Sequence, residues 1–241
     1  MSARRFHSII EYNTAYITIQ PMERSVRTHA MTIIKKRMGR KSSNKKIIAL
    51  TFDIAEGRSV PMRMIKLLQR LKVKQATFFL TGEWTAQHPS IALLLRKKGY
   101  ELASHGYLHR NYPLYADSWI EKEVKRAKRA IRIATGVRTN MIRTPGGEIN
   151  ARVARKLQSM GQTIVHWDID SFDWKLKQTS AIVYRVVPKA FPGAVVLLHA
   201  CDPWVQSLRA VPRIVSGLRR KGYRFTTVTG LMKQSGRTKL Y

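Results

Sequence analysis

Short apolar runs and stretches of helical periodicity alternate along most of the chain. Ile47-Ile48-Ala49-Leu50-Thr51-Phe52 is a continuous, β-branched run, as expected of a strand buried on both faces. Apolar residues recur at helical spacing over 62–71, and a second strand is expected over 76–80. A helix over 91–98 ending near Gly99 leads to a brief strand over 102–104. A long helix is expected over 118–135, with Gly136 just beyond it, followed by a strand over 141–143 and a helix over 151–160. The pattern continues as strand 163–169, helix 180–187, strand 194–199, helix 205–221 and a last strand over 225–228. Strands alternating with helices imply βαβ units and a parallel sheet. About seven such units favour a closed or nearly closed barrel over an open sheet.

Residues 1–45 break this pattern. They show no periodicity and lack the continuous apolar core of a secretory signal. They read as a flexible basic extension, with a membrane or wall tether as the alternative, and Met22, Met31 or Met38 could each be the true translation start. The folded domain is expected over 46–235, with a short tail at 236–241. No 18-residue apolar run is present, so no membrane span is expected. The single cysteine, Cys201, excludes an internal disulfide framework and a multi-cysteine metal site.

Charge adds a second constraint. Lys and Arg number 45 against 14 Asp and Glu, a net of +31. Residues 1–45 hold ten basic and two acidic residues, and the remainder 35 and 12, so the excess is not confined to a tail. Such a surface attracts polyanions, for instance an anionic wall polymer. No basic stripe interleaved with aromatics and no nucleic-acid motif is visible, so no specific nucleic-acid partner is expected.

The scarce acids and histidines fall where strands end. Asp53, Glu56, Asp168, Asp170 and Asp173 lie at or just after expected strands, as do His105, His109 and His199. In parallel α/β folds that rim builds the active site. Asp53 directly follows a buried strand and is too far from the next helix to cap it, so its carboxylate must be paired or used. His105 and His109, spaced four apart, could bind one divalent ion from a single helical turn. Arg143 precedes Pro145-Gly146-Gly147 and could face a carboxylate beside free backbone N–H groups. The segment 167–174 packs three carboxylates and two indoles into eight residues. His199 ends a buried strand and suits acid/base work. His166, inside an expected strand, reads as structural.

Five of these segments, in this order, resemble the polysaccharide deacetylases of the NodB-homology type, carbohydrate esterase family 4. The likeness runs from about Lys46 to Met232. Its motifs are Ala49-Leu50-Thr51-Phe52-Asp53-Ile54 with 76–84, Ser104-His105-Gly106-Tyr107, 143–147, His166-Trp167 with 170–174, and the 195–199 strand. Several look like the sporulation-associated branch. The resemblance implies a distorted (β/α) barrel with about seven parallel strands. It also implies removal of N-acetyl groups from amino sugars of a cell-wall polysaccharide, peptidoglycan first and chitin-type oligomers second, in the cell envelope or another extracytoplasmic setting.

Residue by residue, Asp53 matches the catalytic base, Arg143 the arginine that orients it, and His105 and His109 the metal ligands. Gly146 stands where a backbone N–H serves the oxyanion. Asp173 and Trp174 match a motif that supports the acid histidine and lines the groove. Leu197 lies near the acetyl methyl, and His199 is the general acid. The expected cofactor is one divalent metal ion, zinc first, with cobalt or nickel as alternatives. One position departs from the pattern. The second aspartate of the first motif, a metal ligand, is replaced by Ile54. Glu56 and Asp202 are the candidate substitutes. The alternative expectation is a glycan-binding protein with little or no catalysis.

Overall fold

The run beginning at Ile47 forms β1 (Ile47–Ile54), with all eight residues buried. The computed structural model describes residues 46–234; the expected extension 1–45 and tail 236–241 lie outside the described residues. β1 is the centre of the sheet, paired in parallel with β2 (Thr77–Leu80) and β7 (Val195–His199). Beyond β2 come β3 (Glu101–Ser104), β4 (Met141–Ile142) and β5 (Thr163–Ile164), and beyond β7 comes β6 (Ile169–Asp170). β8 (Arg224–Thr226) pairs with the first half of β1. The fold is the expected distorted (β/α) barrel, with seven parallel strands on one continuous path and β8 off it.

Strand alternation sorts β1 into two faces. Ile48, Leu50, Phe52 and Ile54 point outward into a core shared with helix α1 (Ser59–Arg70), helix α3 (Pro89–Lys97) and helix α7 (Gln206–Arg220). Phe52 stacks on Phe78 at 5.0 Å between ring centres in this layer. Ile47 and Ala49 point inward, meeting Phe79, Ala103 and Val195. Each large apolar side chain buried here contributes about 1.5–3 kcal/mol. Further along the inner face come Thr51 and then Asp53, so the barrel interior turns polar towards the carboxyl ends of its strands.

Helix α2 (Gly82–Gln87) was not expected as a helix, but Thr81 caps it by accepting the Trp84 N–H at 3.3 Å. Helix α4 (Asp117–Thr135) ends, as expected, on Gly136 in the left-handed region at φ 74°. The chain continues through helix α5 (Ala151–Ser159), helix α6 (Thr179–Val186) and helix α8 (Val228–Gln234). The last of these takes Val228 out of the expected final strand.

The expected strand 163–169 is the main correction. It breaks into β5 and β6, which pair with opposite ends of the sheet path and not with each other. The intervening residues cross the seam of the barrel. Two carbonyls there, of Val165 and His166, accept hydrogen bonds from the Arg143 side chain instead of from a neighbouring strand. His166 therefore sits outside any strand. Among the described residues no helix is long and apolar enough to cross a membrane.

Candidate active site

Parallel pairing of β1 with β7 sets Asp53 directly beside His199. Both are inward positions at the carboxyl end of the barrel. Each has its own buried partner.

Asp53 is held by Arg143, which follows β4 and is fully buried. An Arg143 terminal nitrogen donates to Asp53 Oδ1 at 2.6 Å, and the other donates to Thr51 Oγ1 at 3.0 Å. Arg143 Nε donates to the Val165 carbonyl at 3.2 Å, and the guanidinium lies over the Phe79 ring at 4.0 Å. Thr51, two residues before Asp53 on the same strand face, donates in turn to the Val196 carbonyl. Burial disfavours the Asp53 charge, but Arg143 and then the nearby histidines outweigh it, and the pKa falls below the ordinary carboxylate value. Asp53 is thus a fixed anion.

His199 is held by Asp173, whose side chain has no solvent exposure. Asp173 Oδ1 meets His199 Nδ1 at 2.7 Å, and Oδ2 accepts the His199 backbone N–H at 2.8 Å and the Ser207 hydroxyl at 2.6 Å. Gln206 donates to the Asp173 carbonyl. Burial opposes the imidazolium, yet the Asp173 hydrogen bond and charge win, and the pKa of His199 rises. Nδ1 donates to Asp173, so Nε2 is the nitrogen left for a substrate. The Trp204 ring packs edge-on against this imidazole at 4.7 Å between centres. Leu197, two residues earlier on the same strand face, is buried below it. Trp174 is 42% exposed and packs edge-on against Phe172.

His105 ends up buried beside Asp53. Its Nδ1 lies 3.0 Å from the Arg143 carbonyl, which can only accept, so Nδ1 carries the proton. Desolvation, opposed by Asp53, lowers the pKa of His105 to about 4, and the ring is neutral. Its bare Nε2 then faces Asp53 Oδ2 at 3.6 Å. Two acceptors at that distance call for a cation or a proton donor between them. The His109 ring lies 5.0 Å from that of His105 on the exposed rim, its pKa lowered chiefly by desolvation. The two residues sit on a loop and not on the helical turn expected from their spacing. Gly106, at φ 76°, turns the chain between them, and a β-carbon there would press on the Tyr112 hydroxyl.

These donors suit a divalent ion held by two imidazoles. No third protein ligand joins them: among the described residues, no three His, Cys, Asp or Glu side chains gather to hold a metal. Ile54 is on the outward face of β1, fully buried in the helix-packed core. Glu56 is exposed on the following loop, its charge close enough to favour protonation of His109. Asp202 is used elsewhere, against the expectation of a ligand. Its carboxylate accepts the backbone N–H groups of Arg58, Ser59 and Val60 at 3.0, 3.2 and 2.6 Å, capping helix α1.

Gly146 lies exposed on a short turn (Pro145–Gly147) after Arg143, with φ 64°, in the left-handed region that glycine tolerates. At Gly147 a β-carbon would collide with the Trp167 indole, which packs over the turn. Asp168 and Asp170 serve the backbone, accepting the N–H of Val195 at 2.9 Å and of Phe172 at 2.8 Å. Burial raises the pKa of Asp170. Ser207, Gln206 and Trp204, which the sequence reading missed, carry no sequence signal, since they reach the site from beyond β7. Thr51 could have been found from its i−2 position relative to Asp53.

A sequence profile described as polysaccharide deacetylase matches residues 40–165, just over half the chain. The chain belongs to the polysaccharide deacetylase family. A peptidoglycan-N-acetylglucosamine deacetylase of Bacillus cereus is 31% identical over 195 residues, covering 79% of this family member and 90% of that protein. The uncharacterized protein YlxY of Bacillus subtilis is 29% identical over 192 residues, 80% of this chain and 59% of that protein. The chain spans only 40% of the Listeria monocytogenes deacetylase PgdA. A solved structure of a mutant of BA3943, a CE4 family pseudoenzyme from Bacillus anthracis, the mutant having restored enzymatic activity, superposes with a TM-score of 0.73. It is 28% identical, covering 79% of this deacetylase-family chain and 69% of that one.

Proposed function

We propose that the chain hydrolyses N-acetyl groups from amino sugars of a cell-wall polysaccharide, peptidoglycan first, in the cell envelope. The observation that carries this reading is the in-register pairing of Asp53 with His199, each fixed by its own buried partner. Two oppositely charged groups face one space, one ready to accept a proton and the other to give one.

In the reaction, Asp53 takes a proton from the attacking water while Arg143 holds the carboxylate in place. The water oxygen adds to the acetamide carbonyl, and the Gly146 N–H meets the oxygen that becomes negative; one such donor is worth about 3 kcal/mol. His199, held protonated by Asp173, delivers its proton to the sugar nitrogen as the C–N bond breaks. Acetate and a free amine leave. Leu197 lines the floor for the methyl group, and Trp174 offers an apolar face to the sugar. A divalent ion on His105 and His109, zinc first, would supply positive charge that acidifies the water. With Asp53 committed as the base and no second carboxylate beside the two imidazoles, that ion would be held weakly and easily chelated.

A second reading, glycan binding with little catalysis, is favoured by one observation: Ile54 is locked into the outer core where the family pattern has a ligand. The likeness to a CE4 pseudoenzyme supports it. Acetate release from an N-acetylglucosamine oligomer, measured with added zinc and after chelation, decides between them. Zinc-stimulated release that His105→Ala abolishes supports hydrolysis. No release by wild type, with release gained in Ile54→Asp, supports the binding reading.

A further inference from the structure

A groove of about 1080 Å³ lies away from the catalytic rim, between helices α4 and α5. Its lining includes residues 138–140, just before β4, and residues 159, 160 and 162, just before β5. It therefore opens at the amino ends of the strands, whereas Asp53 and His199 stand at the carboxyl ends.

Six cationic side chains line it: Lys125, Lys128, Arg129, Arg132, Arg138 and Lys156. The one carboxylate in the lining, Glu121, is already bonded to Lys125 and Lys156, each at 2.6 Å. Among the described residues Lys128 bonds the neutral Asn140 side chain, at 2.7 Å, and no carboxylate. Among the described residues, Arg129, Arg132 and Arg138 have no carboxylate within ion-pair distance. Along α4 the positions 125, 128, 129 and 132 form one helical stripe, about 10 Å long. Like charges at i, i+4, as in Lys125 with Arg129 and Lys128 with Arg132, weaken a helix. An anionic ligand would reverse that cost.

We propose that this groove binds a flexible polyol-phosphate chain, of which poly(glycerol phosphate) is the simplest. Three of the four cations without a carboxylate are arginines, whose planar fork matches phosphate oxygens. The stripe lets successive phosphates of one chain meet successive cations. Among the described residues the lining contains no aromatic side chain on which bases could stack, which argues against single-stranded nucleic acid. The site would anchor the protein on a phosphate-bearing polymer while leaving the catalytic rim free.

The test is binding of fluorescent synthetic poly(glycerol phosphate) to the full chain across a salt series. Wild type should bind, with affinity falling as salt rises. The triple variant Arg129→Gln/Arg132→Gln/Arg138→Gln should lower the slope of log K against log salt by about 2, at about 0.7 per lost contact, and weaken binding at least about tenfold at physiological salt. Single Arg138→Gln, in a loop, should lower the slope by about 0.7. Circular dichroism verifies that the variants fold. A control triple, Lys66→Gln/Arg70→Gln/Arg213→Gln, removes the same charge from exposed positions on α1 and α7 and should bind as wild type does. Equal loss in both triples would show mere net charge and overturn the site. So would absence of binding by wild type, or tighter binding of an oligothymidylate of equal charge that the groove triple abolishes.

Discussion

Arg143 makes one ion pair, bonds a hydroxyl and two carbonyls, and stacks on a ring, all without solvent exposure. Removing it strands a buried carboxylate. Arg143→Ala should therefore cost about 3–5 kcal/mol in chemical denaturation. Arg143→Lys should recover little of this, since one ammonium cannot reach the same four acceptors. At the proposed chemistry, Asp53→Asn and His199→Ala should each lower acetate release by about 100-fold or more, with Asp53→Asn also losing stability because Arg143 is left without its counter-charge; wild-type rates in either would remove that residue's assigned role. The raised pKa of His199 also has a stability signature. Its ordinary value is 6.5, so its stabilising contribution is complete below that pH and disappears as pH rises through the higher folded value. The stability gap between wild type and His199→Gln should be larger at about pH 6 than at about pH 9.

At the scale of elements, Asp202 shows how a plausible ligand is committed elsewhere. It belongs to the loop after β7, yet it caps the helix after β1. Asp202→Ala should cost about 1–2 kcal/mol and leave zinc affinity unchanged in a calorimetric titration. A drop in that affinity would return Asp202 to the list of ligands. The cap was not legible in the sequence because it joins residues 142 to 144 positions apart. β1 was legible because eight buried positions leave a continuous apolar run. Asp53, Arg143 and His199 stood out because polar residues at the ends of such runs are conspicuous. The break between β5 and β6 was hidden, since Thr163 to Ile169 is rich in strand formers and the Arg143 side chain that takes the Val165 and His166 carbonyls comes from a distant part of the chain. The His105–His109 spacing suggested a helical turn, but Gly106 with positive φ forms a loop that still brings the rings together.

On the scale of the whole molecule, the barrel separates two surfaces: a polar rim at the carboxyl ends of its strands and a basic groove at the opposite end. Ile54 links rim and core, since it stands next to Asp53 in sequence and yet points into the helix layer. Ile54→Asp should tighten zinc and lower the Tm of the metal-free protein, because a carboxylate entering an apolar core costs several kcal/mol unless it swings over the strand end. Unchanged Tm together with unchanged zinc affinity would refute this coupling.

The seam between β5 and β6 carries a consequence for inheritance. The arginine that orients the candidate base also ties the chain just beyond β5 to β1, through the carbonyls of Val165 and His166 on one side and the side chains of Thr51 and Asp53 on the other. A lineage without hydrolysis would still need Arg143 to hold that segment against β1, and Arg143 would still need an acid opposite it. Selection for folding alone would thus preserve half of the candidate apparatus. In such a lineage the first residues free to drift are the exposed ones, His109 and Trp174, so their retention or loss reports on use of the rim where Asp53 and Arg143 cannot.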